Sequence, residues 1–466
     1  MTEVVVLGAG PAGLMASLEA ARMGHTCTLI EAAPRVGGMA GSFEIAGQRV
    51  DFGSHRLHTA TPAHLLDRIA GLLGDDLQLR PRNGRIHLGR RWVGFPLRPS
   101  DLVRSLPVGL TGRLLADSAR SLTVSTATHD QGISRSFEEV IADRLGPTVV
   151  REFYGPYARK LYGLGPDELD GELAVRRVSA ASPSDIARRM FRTGQSDGRT
   201  FYYPRRGYGQ IVERLADAAV AAGVQIHLQS PVTGVEVRHD RVTVSATTRR
   251  IDASVALSTL PLNILATVVE PRPPAAVMRA VSTLRTRAMV LVYLVLAQPQ
   301  YTPYDTHYLP GADTTTARLS EPKNFRDGNG LDPPDRTVLC AELVCWPGDD
   351  LWRLPTDQLG QLVIDDLARL GLPPVEPVGV EVLRLPSVYP FYDLVGAAAR
   401  AAVDEWVPAT DRLLSLGRQG LRVIDNLHHV IAMGAAAAHS IGHDGRIDTV
   451  RWRHHLAEFA THVVED

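Results

Sequence analysis

The chain has 466 residues, 44% of them hydrophobic and 22% charged, with a formal net charge of −1. That length is too great for one simple core, so two or three lobes are expected, and the neutral balance excludes the broad basic field that takes nucleic acid or an anionic membrane. Three scattered cysteines, Cys27, Cys340 and Cys345, lack both metal spacing and a disulfide framework.

The chain opens on "TEVVVLGAG", which leaves no room for a cleaved leader and makes a cytoplasmic location the expectation. "EVVVLGAG" is a short β-branched strand, "PAGLMASLEAARMGH" a helix and "TCTLIEA" a second strand holding a buried, inert Cys27. This is the opening unit of an α/β, Rossmann-like (doubly wound) fold. The pattern from about 60 to 200 is mostly helical, with proline-rich breaks such as "GFPLRPSDLVRSLP". "GYGQIVERLADAAVAAGVQIHLQ" is a helix and then a strand, and "VTGVEVRHDRVTVSAT" a β-hairpin turning near His239 and Asp240. "AMVLVYLVLA" is the longest apolar run; it is too short to span a bilayer and reads as a buried strand. "DQLGQLVIDDLARLG" is an amphipathic helix, and "GRQGLRVIDNLHHVIAMGAAAAHSI" a loop leading into an alanine-rich helix. His428–His429 and His454–His455 fall in helical stretches and read as core or surface filler.

Gly8, Gly10 and Gly13 form a G-x-G-x-x-G between the first strand and its helix. The first glycine makes the tight turn, the second admits a pyrophosphate to the backbone, and the third lets helix and strand pack closely. Glu31 ends the second strand where a carboxylate accepts hydrogen bonds from an adenosine ribose. Together they make a dinucleotide site. Arg35 and the Gly37–Gly38 pair follow, then a short hairpin and an aspartate-glycine turn. This arrangement resembles the FAD signature of the flavin amine oxidase, protoporphyrinogen oxidase and UDP-galactopyranose mutase superfamily. Many members carry arginine after the glycine pair; here Met39 stands there, removing one phosphate contact.

Within that superfamily the mutase-like branch is the best match. Gly53, Ser54, His55, Arg56, Leu57, His58 and Thr59 align with its glycine, proline, histidine, two residues, histidine, threonine segment. "FYGPYARKLYG" resembles its aromatic, tyrosine, lysine, tryptophan, glycine segment. "FYYPRRGYGQIVERL", "VYPFY" and "GRQGLRVIDN" resemble later segments in order. The resemblance implies a discontinuous FAD-binding domain of residues 1–60, 200–265 and 406–466, a helical lid of residues 61–199 and a β-sheet substrate domain of residues 266–405. It implies FAD contacts at Gly8, Gly10, Pro11, Ala12, Gly13, Glu31, Ala32, Arg35, Gly37, Gly38, Met39, Gly53, Ser54, His55, Val232, Gly417, Arg418, Asp425 and Asn426.

The same resemblance sets His55 against the flavin, where titration near neutrality would suit a change of flavin charge. His58 is either a partner in that chemistry or a loop histidine satisfied by backbone. Lys160 and Tyr162 match the lysine and tryptophan beside the substrate; the alternatives are a surface lysine and a core tyrosine. Arg56, Tyr157, Arg176, Arg206, Tyr392 and Arg422 are substrate-binding candidates, the arginines by bidentate grip on a diphosphate or carboxylate, with solvated surface arginine the competing reading. The mutases' two diphosphate-binding tyrosines correspond to Arg422 and Ile424, which weakens the expectation of mutase activity and leaves the flavoprotein expectation intact.

No third ligand near His55 and His58 completes a metal site, so no metal is expected. The leading expectation is an FAD-dependent oxidoreductase taking a hydride from a small-molecule substrate, a sugar or nucleotide sugar ahead of an amine, isoprenoid or tetrapyrrole. The alternatives are a mutase-like sugar isomerase using reduced FAD and a flavin-retaining partner protein without chemistry. A monomer or homodimer, without nucleic acid or an integral membrane segment, is expected.

Overall fold

A computed structural model describes residues 2–88, 90–96, 107–123, 135–177, 199–407 and 410–464. Most of the proline-rich break at 94–107 lies outside the described residues. The first strand, Glu3–Leu7, pairs in parallel with Thr26–Ile30 on one side and Val255–Ser258 on the other; Gln225–His227 and Leu413–Ser415 complete a five-stranded parallel sheet. Its order, with the first strand central and late strands added beyond it, is that of the doubly wound fold. Alternate side chains divide between two faces. Val4 and Val6 pack under the helices Pro11–Arg22, Gln210–Ala221 and Leu427–His439, while Val5 and Leu7 face the smaller sheet built from the hairpin Val232–Val237 and Val242–Ala246 with Arg249–Ala253. The hairpin, the buried Cys27 and the alanine-rich helix stand where the pattern put them.

The second layer system is a seven-stranded sheet, ordered Pro377–Pro390, Thr286–Leu296, Thr337–Cys345, Arg318–Ser320, Thr306–Tyr308, Gly84–Leu88, Arg91–Phe95. The apolar run read as a buried strand is its second member, flanked by Pro377–Pro390 and Thr337–Cys345 and buried at every position but the first. One face, with Val290, Val292 and Leu294, packs on the amphipathic helix Thr356–Arg369 through Leu359, Val363 and Leu367. The other, with Met289, Leu291, Tyr293, Cys340 and Val344, meets the helix Gly155–Tyr162 and the hairpin Ser42–Ile45/Gln48–Asp51. The stretch expected to be mostly helical therefore also supplies the last two strands of this sheet, Gly84–Leu88 and, at its edge, Arg91–Phe95. A third, Leu77–Pro81, pairs with Thr200–Pro204. Among the described residues no helix is long and apolar enough to cross a membrane.

Candidate active site

The glycine turn shows why each glycine is there. Gly8 has φ +102°, and a Cβ on it would stand 2.2 Å from Thr259 Oγ1; a Cβ on Gly13 would stand 2.0 Å from the Gly8 carbonyl oxygen. Gly10 has nothing within 4 Å of its Cβ position. That open side is where a pyrophosphate approaches the helix N-terminus. Glu31 is held ready by two backbone donors, Ala9 N–H at 2.7 Å and Ala33 N–H at 2.8 Å. A carboxylate has about four acceptor sites, so capacity for ribose hydroxyls remains.

From Gly8 and Glu31 a single cavity of about 470 Å³ runs under the parallel sheet's C-terminal edge to the seven-stranded sheet. Pro11, Ala12, Ala32, Gly38, Met39, Val232, Gly417, Asn426 and the loop Gly53–Ser54–His55 line it. Asp425 lines it as well: its side chain is fully enclosed, its Oδ1 faces the Nδ1 atoms of His429 at 3.3 Å and His462 at 3.5 Å, and its Oδ2 has no hydrogen-bond partner. A buried acceptor without a donor is costly, and a ribityl hydroxyl would supply one. The open flank of Gly10 and the orphaned acceptor of Asp425 both fit a flavin dinucleotide lying along this crevice.

His55 stacks on Tyr208, ring centroids 5.1 Å apart at 15°, and its Nδ1 lies 3.2 Å from the Gly53 carbonyl. Burial, reinforced by the guanidinium groups of Arg318 and Arg418, pushes its pKa down to about 3. The expectation of titration near neutrality is thus corrected: His55 is a neutral hydrogen-bonding group. His58 also lines the cavity, but its Nδ1 accepts the Ala60 N–H at 3.0 Å, so the backbone-satisfied reading has direct support.

Several expected site residues lie elsewhere. Arg35 is exposed, its guanidinium over the Phe52 ring at 4.9 Å. Gly13 and Gly37 shape the turn without lining the cavity. Lys160 donates to Leu309 O (2.6 Å), Thr314 Oγ1 (2.9 Å) and Thr316 O (3.0 Å), which uses all three ammonium protons; burial lowers its pKa to about 8. It ties the helix Gly155–Tyr162 to the loop around 309–316 and does not reach the cavity. Lys323, the second lysine, makes the same tripod onto Pro299 O, Pro333 O and Arg336 O. A compact ammonium suits three converging oxygens where a planar guanidinium does not. Lys160→Met is accordingly expected to lower the melting temperature by several degrees with the flavin absorbance unchanged, read by paired thermal and visible spectra; an altered spectrum at unchanged stability would return Lys160 to the site.

Tyr162 is buried one layer behind the cavity wall, its hydroxyl accepting Arg177 Nε–H at 3.0 Å. Arg177 lines the cavity; its neighbour Arg176 points away to Glu172 at 2.8 Å. Tyr157 stacks on Phe153, Tyr392 donates to the Arg422 carbonyl, Arg422 itself reaches Arg285 O, and Arg206 is exposed. Of the substrate candidates, Arg56 alone reaches the cavity, tied to Asp305 at 2.8 Å and Thr306 at 2.6 Å.

Sequence reasoning missed Arg82, Tyr208, Arg318, Glu342 and Tyr389, all in the cavity wall. One signal was available: Glu342 interrupts the apolar run "TVLCAELVC", and a charge inside a buried strand must be paired. The fold also gathers Asp425, His429 and His462, whose ligand atoms lie within 4.8 Å of one another. The two imidazoles are stacked, 4.0 Å apart at 14°, so their in-plane lone pairs run nearly parallel and do not converge on one ion. The group is a carboxylate shared by two rings.

The overlay with known folds is consistent with this crevice. The structure is similar over 100% of both chains to a reduced UDP-galactopyranose mutase (TM-score 0.79, 18% identity). It is also similar, over 94% of this chain and 98% of the other, to a putrescine oxidase with redesigned cofactor binding (TM-score 0.68, 17% identity). At such identities these show a shared fold. The ferredoxin–NADP reductase of Burkholderia vietnamiensis (strain G4 / LMG 22486) is 32% identical over 90 residues, 19% of this chain, and the match spans 23% of that protein's length. The family described as flavin containing amine oxidoreductase matches residues 11–405. With that span covering most of the chain, the chain belongs to the flavin-containing amine oxidoreductases, and its cofactor is FAD.

Proposed function

We propose that the protein is an FAD-dependent oxidoreductase whose substrate is a small anionic molecule, a sugar or nucleotide sugar first, that gives up a hydride in the cavity beyond His55. The observation that carries this reading is the cavity wall around Tyr389, whose ring lies under the guanidinium groups of both Arg418 and Arg177. Arg418 lines it with Nε buried and without a hydrogen-bond partner and its Nη2 on Val388 O at 3.0 Å. A buried guanidinium in that state favours an anionic group on whatever fills the cavity. Arg177, over the Tyr389 ring at 5.2 Å, adds a second cation beside a stacking face.

FAD, when bound, supplies the two-electron acceptor. The chain's part is to orient and to exclude water. Tyr389 and Tyr208 offer apolar faces, and Arg418 and Arg177 fix the anionic end. A neutral His55 donates or accepts a hydrogen bond without exchanging a proton near neutral pH.

The test is anaerobic addition of candidate substrates to the yellow protein, with nucleotide sugars, sugar acids, polyols and amines compared. Bleaching of the flavin by an anionic sugar, with a two-electron oxidised product by mass spectrometry, is the expected result. Conversion only after prior chemical reduction, with no reductant consumed, would replace the oxidoreductase by a non-redox isomerase. Neither bleaching nor conversion across the classes would leave a flavin-retaining partner protein.

A further inference from the structure

We infer that Glu342 is a positioning residue that sets the Gly53–Ser54–His55 loop in the cavity and, through the same carboxylate, balances the charge of Arg318 beside the flavin crevice. The inference requires FAD in the crevice and is independent of the reaction proposed above.

Glu342 lies in the strand Thr337–Cys345, on the face that carries Cys340 and Val344, and its side chain is 3% exposed. Arg318 is its cross-strand partner in the neighbouring strand. The pair is bidentate: Arg318 Nε donates to Oε1 at 3.0 Å and Nη2 to Oε2 at 2.7 Å. Oε1 also accepts the backbone N–H of Ser54 at 2.7 Å. Gly53 is at φ +92°, and a Cβ there would stand 3.2 Å from that same oxygen. The loop therefore reaches the carboxylate through a backbone donor and a glycine, with its own side chains uninvolved; Ser54 Oγ makes only a 3.5 Å contact to Thr306. One buried acid thus joins the loop bearing His55 to a cation that also lines the cavity. A charge in so enclosed a place acts on its neighbours with little screening.

Removing either partner should move the flavin's reduction equilibrium, and in opposite senses. E342Q keeps an oxygen for the Ser54 N–H but leaves the Arg318 cation unbalanced, which favours the more negative reduced flavin. R318M leaves the carboxylate unbalanced and disfavours it. Anaerobic redox titration of each holoprotein against a reference dye is the measurement. The expected shift is at least about tenfold in the reduced-to-oxidised ratio at fixed poise, about 30 mV for a two-electron couple, upward for E342Q and downward for R318M. The double variant E342Q/R318M should return towards the parent. Should E342Q fail to fold, the direction of the R318M shift and the return of the double variant decide. Melting temperatures that fall while the potential and the visible spectrum stay at parental values would overturn the inference and leave a purely structural ion pair. A failure of every substrate in the bleaching screen would leave this result untouched.

Discussion

Gly13→Ala is expected to yield a protein that loses its FAD and melts many degrees below the parent. The added methyl would sit 2.0 Å from Gly8 O and 3.2 Å from Gly8 C, both backbone atoms, and 3.3 Å from Val6 Cγ1. No side chain can swing aside to make room. The helix Pro11–Arg22 cannot retreat either, because a Cβ on Gly434 of the helix behind it would already stand 2.3 Å from Ala12 O. Overpacking of this kind typically costs about 1–3 kcal/mol or more. Losing a ligand present at about a hundredfold above its dissociation constant removes roughly 2.7 kcal/mol in addition. Gly10→Ala is the contrast: nothing stands within 4 Å of its Cβ in the protein, so the apoprotein should melt normally while FAD affinity falls, since the methyl takes the pyrophosphate's space. Flavin absorbance per chain and melting curves with and without added FAD read both variants. A yellow Gly13→Ala protein of parental stability would show that the helix does not pack on the turn this closely.

That contrast shows what kind of information the sequence carried. The glycine turn, Glu31 and the hairpin near His239 are local: their partners lie within a few tens of residues, so spacing alone restricts them. The buried strand Thr286–Leu296 declared itself by an unbroken apolar run. The cavity wall is another matter. Ser54 and Glu342 are 288 positions apart, and no periodicity links them. Arg176 and Arg177 are adjacent and equally plausible as letters, yet one helical step sends one to Glu172 and the other into the cavity. Lys160 drew notice as the match to a lysine beside the substrate, but matched letters do not fix where a side chain points: its ammonium, like that of Lys323, is held by three oxygens. The strands Gly84–Leu88 and Arg91–Phe95 were hidden by their shortness and by arginines and histidines on faces that stack with aromatic rings, as Arg85 does between Trp92 and Tyr304.

Histidines give the other large expectation: the holoprotein should lose stability steeply on acidification from pH 7 towards 4. His55, His307 and His428 each have a pKa pushed from 6.5 down to about 3, by burial first in every case. Nearby cations add to it, Arg318 and Arg418 at His55 and Arg85 at His307, and the neighbouring His429 and His58 at His428. In the unfolded chain each takes a proton as pH falls through its ordinary value; in the folded chain each stays neutral until near 3. Between those limits the unfolded state binds more protons, so stability rises with pH and falls with acid. Each group contributes up to about 1.4 kcal/mol per pH unit, and the three together up to about 4 kcal/mol per unit. Asp51, Glu321 and Asp404, the last raised to about 6, work the other way. Burial raises their carboxyl pKa values, so the folded state binds their protons first as pH falls, which offsets part of the loss. A net uptake of about one to three protons on unfolding is the expected slope. Denaturant midpoints from pH 7 to 4.5, at saturating FAD so that cofactor loss does not enter, measure it. Replacing His307 with glutamine, outside the cavity and beside Trp92 and Tyr304, should flatten the curve by about one proton. A midpoint that stays level from pH 7 to 5 in the parent and is unchanged in its pH dependence by the His307 replacement would mean that these rings titrate alike in both states, and it would also put back in question the neutral His55.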